Sequence, residues 1–210
     1  MQTESNSTKE FRFNQVLGPS CTQEEVFYRT RIDQLIEKVI DGYHVTIFAY
    51  GQTGAGKTFT MDGFNYMMNS KQGKVVIDRS EKLNWGIIPR AISYLYERIN
   101  KDTSSMLRRY TVYYSYLQIY NEKIYDLLNS SQPDPSVPGL KLRYKDGNFI
   151  VENSYTFECK SENDVYELLQ FGLKNRVVAG HRLNKGSSRS HSILCLTVES
   201  VDPANPVTIL

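Results

Sequence analysis

The chain has 210 residues, 40% hydrophobic and 23% charged, which is one to two domain lengths with enough apolar content to bury a core. Its 25 Lys+Arg against 23 Asp+Glu leave a formal charge of +2, too near neutral to select a nucleic acid or a membrane surface as partner. The polar opening carries no signal-peptide core, and no apolar run approaches the roughly 20 residues of a spanning helix, so neither secretion nor membrane insertion is expected. Cys21, Cys159 and Cys195 lie far apart with no C-x-x-C pair, which fits buried reduced thiols in a reducing, intracellular compartment.

Taken in chain order, the pattern reads as α/β, with no repeat, heptad array or low-complexity block. Residues 1–10 form a flexible polar terminus. Residues 11–16 alternate like a strand, and Thr22-Gln-Glu-Glu25 offers a capping box for one helix carrying Val26, Phe27, Ile32, Leu35, Ile36, Val39 and Ile40, with Gly42 as its stop. Residues 45–50 are β-branched and aromatic on both alternating faces, predicting a strand covered on both sides that runs into a glycine-rich turn. Residues 62–84 are mostly polar and read as a long loop, after which Pro89 can open a helix whose apolar stripe spans 91–99. Residues 110–120 give the strongest strand pattern. Its alternating Tyr114, Tyr116 and Tyr120 read as one strand face rather than a stacking platform for nucleic acid.

Pro133, Pro135 and Pro138 mark 130–138 as an exposed loop. A hairpin follows, with 140–144 and 149–151 joined through Lys145-Asp-Gly-Asn148. Ser161-Glu-Asn-Asp164 resembles a capped start for a helix bearing Val165, Leu168, Leu169, Leu173 and Val177, fraying near Gly180. Residues 193–198 read as a strand, and 202–210, with two prolines, as a loop.

Gly51-Gln-Thr-Gly-Ala-Gly-Lys-Thr58 matches G-x-x-x-x-G-K-[ST] in the strand–turn–helix setting that a phosphate loop requires. Its glycines let successive backbone N–H groups turn toward phosphate oxygens, while the helix that follows points its positive end at the same anion. In this reading Gly51, Gln52, Thr53, Gly54, Ala55 and Gly56 form the cradle, Lys57 reaches the β- and γ-phosphates, and Thr58 ligates Mg²⁺. The alternative is an ordinary glycine turn. A phosphate loop alone does not separate a motor from a small-molecule kinase, a GTPase or a DNA translocase. Ser187, Ser188 and Arg189 fit a polar loop beside a γ-phosphate, or an ordinary solvated turn. No metal ligand beyond those for Mg²⁺ is read: His44 and His181 have no metal-spaced partner, and His191 reads as a packing or hydrogen-bonding residue.

Six blocks, in order, resemble the kinesin motor domain. They are Phe11-Arg-Phe-Asn-Gln-Val16, Gln23-Glu-Glu-Val-Phe27, the run from Gly42 through the phosphate loop to Met61, Gly86-Ile-Ile-Pro-Arg-Ala91, Tyr116-Leu-Gln-Ile-Tyr-Asn-Glu-Lys-Ile-Tyr-Asp-Leu-Leu128 and Asn184-Lys-Gly-Ser-Ser-Arg-Ser-His191. The resemblance implies a P-loop NTPase fold with a mixed central sheet flanked by helices, incomplete at its C-terminal end. It also implies a microtubule motor in the cytoplasm and on the cytoskeleton, which binds Mg·ATP and couples its hydrolysis to microtubule-based movement in the complete motor. The last block is then the switch I signature. Ser188 would approach Mg²⁺ and the γ-phosphate, Ser187 would help hold the attacking water, Asn184 would line the pocket, Arg189 would close an ion-pair latch, and Arg176 would pair toward the second switch. Tyr43 and Phe59 match positions flanking the adenine ring, with core packing as their alternative.

Against the family pattern, the sequence lacks the first strand with its R-x-R-P-like segment, the D-x-x-G-S-E switch II, the main microtubule-binding helix and the neck linker. The expected organisation is therefore a partial motor domain over 11–200 followed by a truncated loop over 201–210, catalytically incomplete and marginally stable. Such a chain leaves a second reading open, a non-motile nucleotide- or microtubule-binding fragment, and a third, an unrelated P-loop phosphotransferase. Subfamily, cargo, direction of travel and oligomeric state have no signature in this sequence.

Overall fold

A computed structural model describes residues 10–63, 67–69, 74–76, 82–104, 108–129, 138–145, 147–182 and 190–201. The elements in chain order are α1 (Gln23–Arg29), α2 (Ile32–Ile40), α3 (Lys57–Met61), β1 (Met67–Asn69), β2 (Lys74–Val76), a 3₁₀ turn (Lys82–Asn84), α4 (Ile87–Ser104), β3 (Arg109–Tyr120), β4 (Lys123–Asp126), β5 (Leu142–Lys145), β6 (Asn148–Val151), β7 (Phe157–Cys159), α5 (Glu162–Arg182) and β8 (Ser190–Val201). The expected loop at 202–210, all but the last residue of the loop expected at 130–138 and all but the last of the terminus expected at 1–10 lie outside the described residues.

β3 organises the sheet. Along one edge it pairs antiparallel with β8 over its whole length, from Arg109 opposite Val201 to Tyr120 opposite Ser190. The other edge is shared between β7, opposite Val112 to Tyr114, and β4, opposite Leu117 to Tyr120. All strand pairings among the described residues are antiparallel, and two separate hairpins, β1–β2 and β5–β6, complete the list. β3 alternates as its sequence demands: Val112, Tyr114, Tyr116 and Gln118 are buried on one face. That face packs with Phe27 and Ile36 of α1 and α2, Ile92 and Leu95 of α4, and Val165 and Leu169 of α5 in a single core cluster.

The expected caps are present. The Thr22 hydroxyl accepts the Glu25 N–H at 3.1 Å while the Glu25 carboxylate accepts the Thr22 N–H at 2.8 Å. At α5, the Ser161 hydroxyl accepts the Asp164 N–H at 3.3 Å. The hairpin turn forms with Gly147 at φ +84°, the left-handed region that residue tolerates. Pro89 sits in the first turn of α4, where a missing N–H leaves no hydrogen bond unmade.

Several expectations are corrected. Residues 22–40 form two helices, because Thr30 returns its hydroxyl to the Val26 carbonyl at 2.6 Å and Arg31 takes a left-handed φ of 58°. The five-residue step from Phe27 to Ile32 already breaks helical spacing, so the core face restarts at Ile32, Ile36 and Ile40. Residues 11–16 form no strand, and Phe11, Phe13 and Val16 are exposed. Residues 45–50 have no strand partner among the described residues and are covered on one face only: Val45, Ile47 and Ala49 are half-buried, whereas Phe48 is 79% and Tyr50 94% exposed. The 62–84 segment holds β1, β2 and the 3₁₀ turn, and α5 continues past Gly180 to Arg182. All three cysteines are free, but only Cys159 is buried; burial pushes its thiol up to about 11, while Cys21 is half-buried and Cys195 exposed.

Two polar features stitch the layers. Asp126, almost fully buried, accepts the Leu128 N–H at 2.8 Å and the Tyr155 N–H at 2.5 Å, tying the end of β4 to the entry of β7. Burial nevertheless holds its carboxyl above the ordinary aspartate range, outweighing those two donors. At the α2–α4 contact, Glu37 accepts Arg98 Nε at 2.6 Å and the Tyr94 hydroxyl at 2.8 Å. Burial, then the bond to Glu37, pushes the Tyr94 phenol up to about 12.

Asp126→Ala leaves two amides without their acceptor and should destabilise the fold by about 2–4 kcal/mol, read as a lower urea midpoint at unchanged slope. The bond from Arg98 holds the Glu37 carboxyl below its ordinary value, so its contribution is present at neutral pH and lost as pH falls through that lowered value. Stability measured from about pH 6 to pH 3 should therefore fall less steeply in Glu37→Gln than in the unmodified chain.

Candidate nucleotide-binding site

The turn at residues 51–58 is formed as the motif requires. Gly54 and Gly56 have φ values of +82° and +84°, a conformation that turns the backbone sharply and that side chains other than glycine seldom adopt. Gly56 then serves as the N-cap of α3, whose first-turn N–H groups have no acceptor within the helix. Lys57 Nζ donates to the carbonyls of Gly51 and Gln52, both at 2.7 Å, so the ammonium lies over the first residues of the turn. Gly51 to Ala55 and Thr58 are exposed, leaving the turn open to a solvent-borne anion.

The turn is anchored from its helical side. Gln23, buried at the start of α1, donates its side-chain amide to the Phe59 carbonyl at 2.8 Å. Ile47 before the turn and Met61 after it pack against the core. At the end of α3, the Asp62 carbonyl accepts the Gly86 N–H at 3.2 Å, and the Asp62 carboxylate lies 3.8 Å from Arg176 of α5. Sequence reasoning does not single out Asp62 or Gln23: neither belongs to the phosphate-loop signature, and only the tertiary fold brings them to α3.

Tyr43 follows α2, is exposed, and has the Lys38 ammonium 5.5 Å from its ring centre; Phe59 on α3 is exposed as well. Neither ring is packed in the core that the described residues form. Arg176 is three-quarters buried or more and has an acidic neighbour within the chain, rather than only the expected one in a second switch. Asn184, Ser187, Ser188 and Arg189 lie outside the described residues, as do the side chains of His181 and Arg182.

The residues present suit a magnesium–nucleotide. The turn offers exposed glycines, a lysine and a helix start, and Thr58 is exposed. No group of three His, Cys, Asp or Glu side chains able to hold a metal occurs among the described residues, so an ion beside Thr58 would draw its other ligands from phosphate, water and further hydroxyls.

Fold and turn together define an α/β protein of the P-loop nucleotide-binding class. The family pattern of the kinesin motor domain matches residues 1–208. The chain is 39% identical over 203 residues to kinesin-like protein KIN-14M of Oryza sativa subsp. japonica, covering 96% of this chain and 16% of that protein. To human kinesin-like protein KIF15 it is 38% identical over 203 residues, covering 95% of this chain and 13% of the relative. A solved structure of a fast kinesin superposes with a TM-score of 0.78 at 32% identity, over 94% of this chain and 50% of that one. The chain belongs to the kinesin motor-domain family. It spans about half of the matched motor structure and under a fifth of these two curated relatives.

Proposed function

We propose that this chain forms the phosphate-binding part of a kinesin-type microtubule motor, which binds Mg·ATP and, in the complete motor, couples its hydrolysis to movement along microtubules. The observation that carries this reading is the 51–58 turn, with left-handed glycines at 54 and 56 and the Lys57 ammonium over its opening carbonyls. Family membership supplies the rest of the support. Its working place is the cytoplasm, on the microtubule cytoskeleton.

In this reading the N–H groups from Gly51 through Thr58 wrap the phosphates, and Lys57 exchanges two carbonyl partners for β- and γ-phosphate oxygens. That exchange replaces neutral acceptors by charged ones, which form shorter and stronger bonds. Thr58 and Ser188 provide the hydroxyl ligands for magnesium, which when bound neutralises charge on the phosphate oxygens. Ser187 holds the attacking water, Arg189 closes the site by ion pairing, and Asn184 lines the pocket. Tyr43 and Phe59 offer aromatic faces to the adenine, giving contact area without strict selection of the base.

The uncovered Phe48 and Tyr50 favour a second reading for this polypeptide on its own, a non-motile nucleotide- or microtubule-binding protein. Phosphate release by this chain and by a longer one carrying a second switch separates the two. Microtubule-stimulated turnover in the longer chain only, abolished there by Lys57→Ala, is the result expected of the motor reading; nucleotide binding without turnover in either supports the second. Lys57→Ala should weaken Mg·ADP binding at least about tenfold while its circular dichroism melt stays unchanged. Equal affinity in a folded Lys57→Ala protein would sink the nucleotide-binding part of both.

A further inference from the structure

Gln23 is buried at the first position of α1, yet its side-chain amide serves another element. Its Nε2 donates at 2.8 Å to the carbonyl of Phe59 in α3, the helix that leaves the phosphate loop. In a continuing helix Gly63, four residues on, would fill that carbonyl. Gly63 instead gives its N–H to Thr58 at 3.4 Å, beside the Asp62 N–H at 2.8 Å, and Gln23 supplies the donor that Phe59 lacks. The place of Gln23 is fixed twice over. The Thr22–Glu25 capping box sets the first turn of α1, and Phe27, 1% exposed, roots that helix in the core.

From Phe59 the contact runs along peptide groups into the phosphate loop. A trans peptide holds its C=O and N–H in one plane and in opposite directions, so fixing one end aims the other. The peptide unit that carries the Phe59 carbonyl also carries the Thr60 N–H, which donates to the Gly56 carbonyl at 2.8 Å. The unit that carries the Gly56 carbonyl also carries the Lys57 N–H, which has no hydrogen-bond acceptor among the described residues. The Gln23 amide and these two peptide units thus form one line in which each hydrogen bond polarises the next. The open donor at its far end belongs to the 51–58 turn and follows directly on the left-handed Gly56.

We propose that Gln23 is a positioning residue for phosphate: through the Phe59 and Gly56 carbonyls it aims the Lys57 N–H, and so sets how tightly the 51–58 turn holds a diphosphate. The inference rests on the nucleotide reading above. A donor whose direction is set before the anion arrives needs no reorganisation to bind it. Removing the Gln23 amide takes away that preset direction while leaving the glycines, the Lys57 ammonium and Thr58 in the chain.

The test measures, by calorimetry on the intact chain, the affinities of Mg·ADP and of magnesium pyrophosphate, which has phosphates and no base. Gln23→Met keeps the length of the side chain and removes its donor; it should weaken both ligands about fivefold, the worth of one neutral hydrogen bond. In the same variant the Lys57 amide proton of the isotope-labelled free chain should move upfield, because its peptide unit is less polarised. Phe27→Leu, a core change in the same helix, should lower the urea midpoint and leave both affinities within about twofold. Unchanged affinities or an unmoved Lys57 resonance in a folded Gln23→Met protein overturns the proposal. So does a loss in Phe27→Leu as large as that in Gln23→Met, the mark of general destabilisation. A loss for Mg·ADP alone overturns it as well, since the effect would then run through the Phe59 ring and the base. If Gln23→Met does not fold, Gln23→Asn, one methylene too short to reach Phe59, is judged by the same outcomes. No binding of either ligand by the unmodified chain removes the nucleotide reading and this inference together; binding that Lys57→Ala weakens and Gln23→Met does not removes the inference only.

Discussion

Burying Tyr114 and Tyr116 on the same face of β3 commits that strand to one register and one orientation. Each ring removes on the order of 150–250 Å² from water, and a slip of one residue against β8 would turn both toward the opposite face. The alternation continues in the partner: Leu194, Leu196 and Val198, opposite Tyr116, Tyr114 and Val112, pack against the same core, while Ile193, Cys195 and Thr197 are exposed. Helices α1, α2, α4 and α5 contribute to the core on this tyrosine face, and on the opposite face of β8 Ile193, Cys195 and Thr197 are exposed among the described residues. The phenol groups add a requirement that leucines would not. Burial raises the pKa of the Tyr116 phenol, opposed by the charge of Arg176, and burial raises that of Tyr114, whose hydroxyl has no hydrogen-bond partner among the described residues. The strand that builds the core therefore also brings its phenols toward the charged side chains of Asp62 and Arg176.

The phosphate loop depends on this framework. Residues 45–50 approach it without strand pairing among the described residues, with Ile47 packed against the core. Beyond the turn it is held by Gln23 on the Phe59 carbonyl, by Gly86 on the Asp62 carbonyl and by the packing of Met61. A short helix held at three points along its length keeps its N-terminal end, and the glycines before it, in a defined place. Such an arrangement suits a cradle made of backbone N–H groups, because those groups bind only when their directions are already set.

What was legible in the sequence was local chemistry with its own periodicity or signature. The two caps, at Thr22 and Ser161, are side-chain bonds spanning three residues. The hairpin turns on Gly147, the β3 face shows as alternating tyrosines, and the 51–58 turn is a contiguous string. The misses share a different cause. The break at Arg31 needs a left-handed residue that no glycine announces, and only the step from Phe27 to Ile32 hints at it. For 45–50, β-branched and aromatic residues on both faces promise burial on both, but burial depends on what covers each face, a tertiary fact. Asp62 beside Arg176 is likewise a tertiary fact: the two lie 114 positions apart, and no local pattern links them.

That pairing bears on how the nucleotide site and the core share one structure. An apolar contact between α3 and α5 would tolerate small sliding, since hydrophobic burial has no preferred direction. A carboxylate and a guanidinium largely removed from water tolerate it less, because their attraction weakens as they separate in a low-dielectric setting. Gly172 lies directly on the Tyr116 ring, with no room for a Cβ, so α5 has no space to move toward β3. The resistance is therefore steep and directional. A charge pair at this point converts the rigid tyrosine core into a fixed reference for the phosphate loop, which apolar packing alone would leave free to drift.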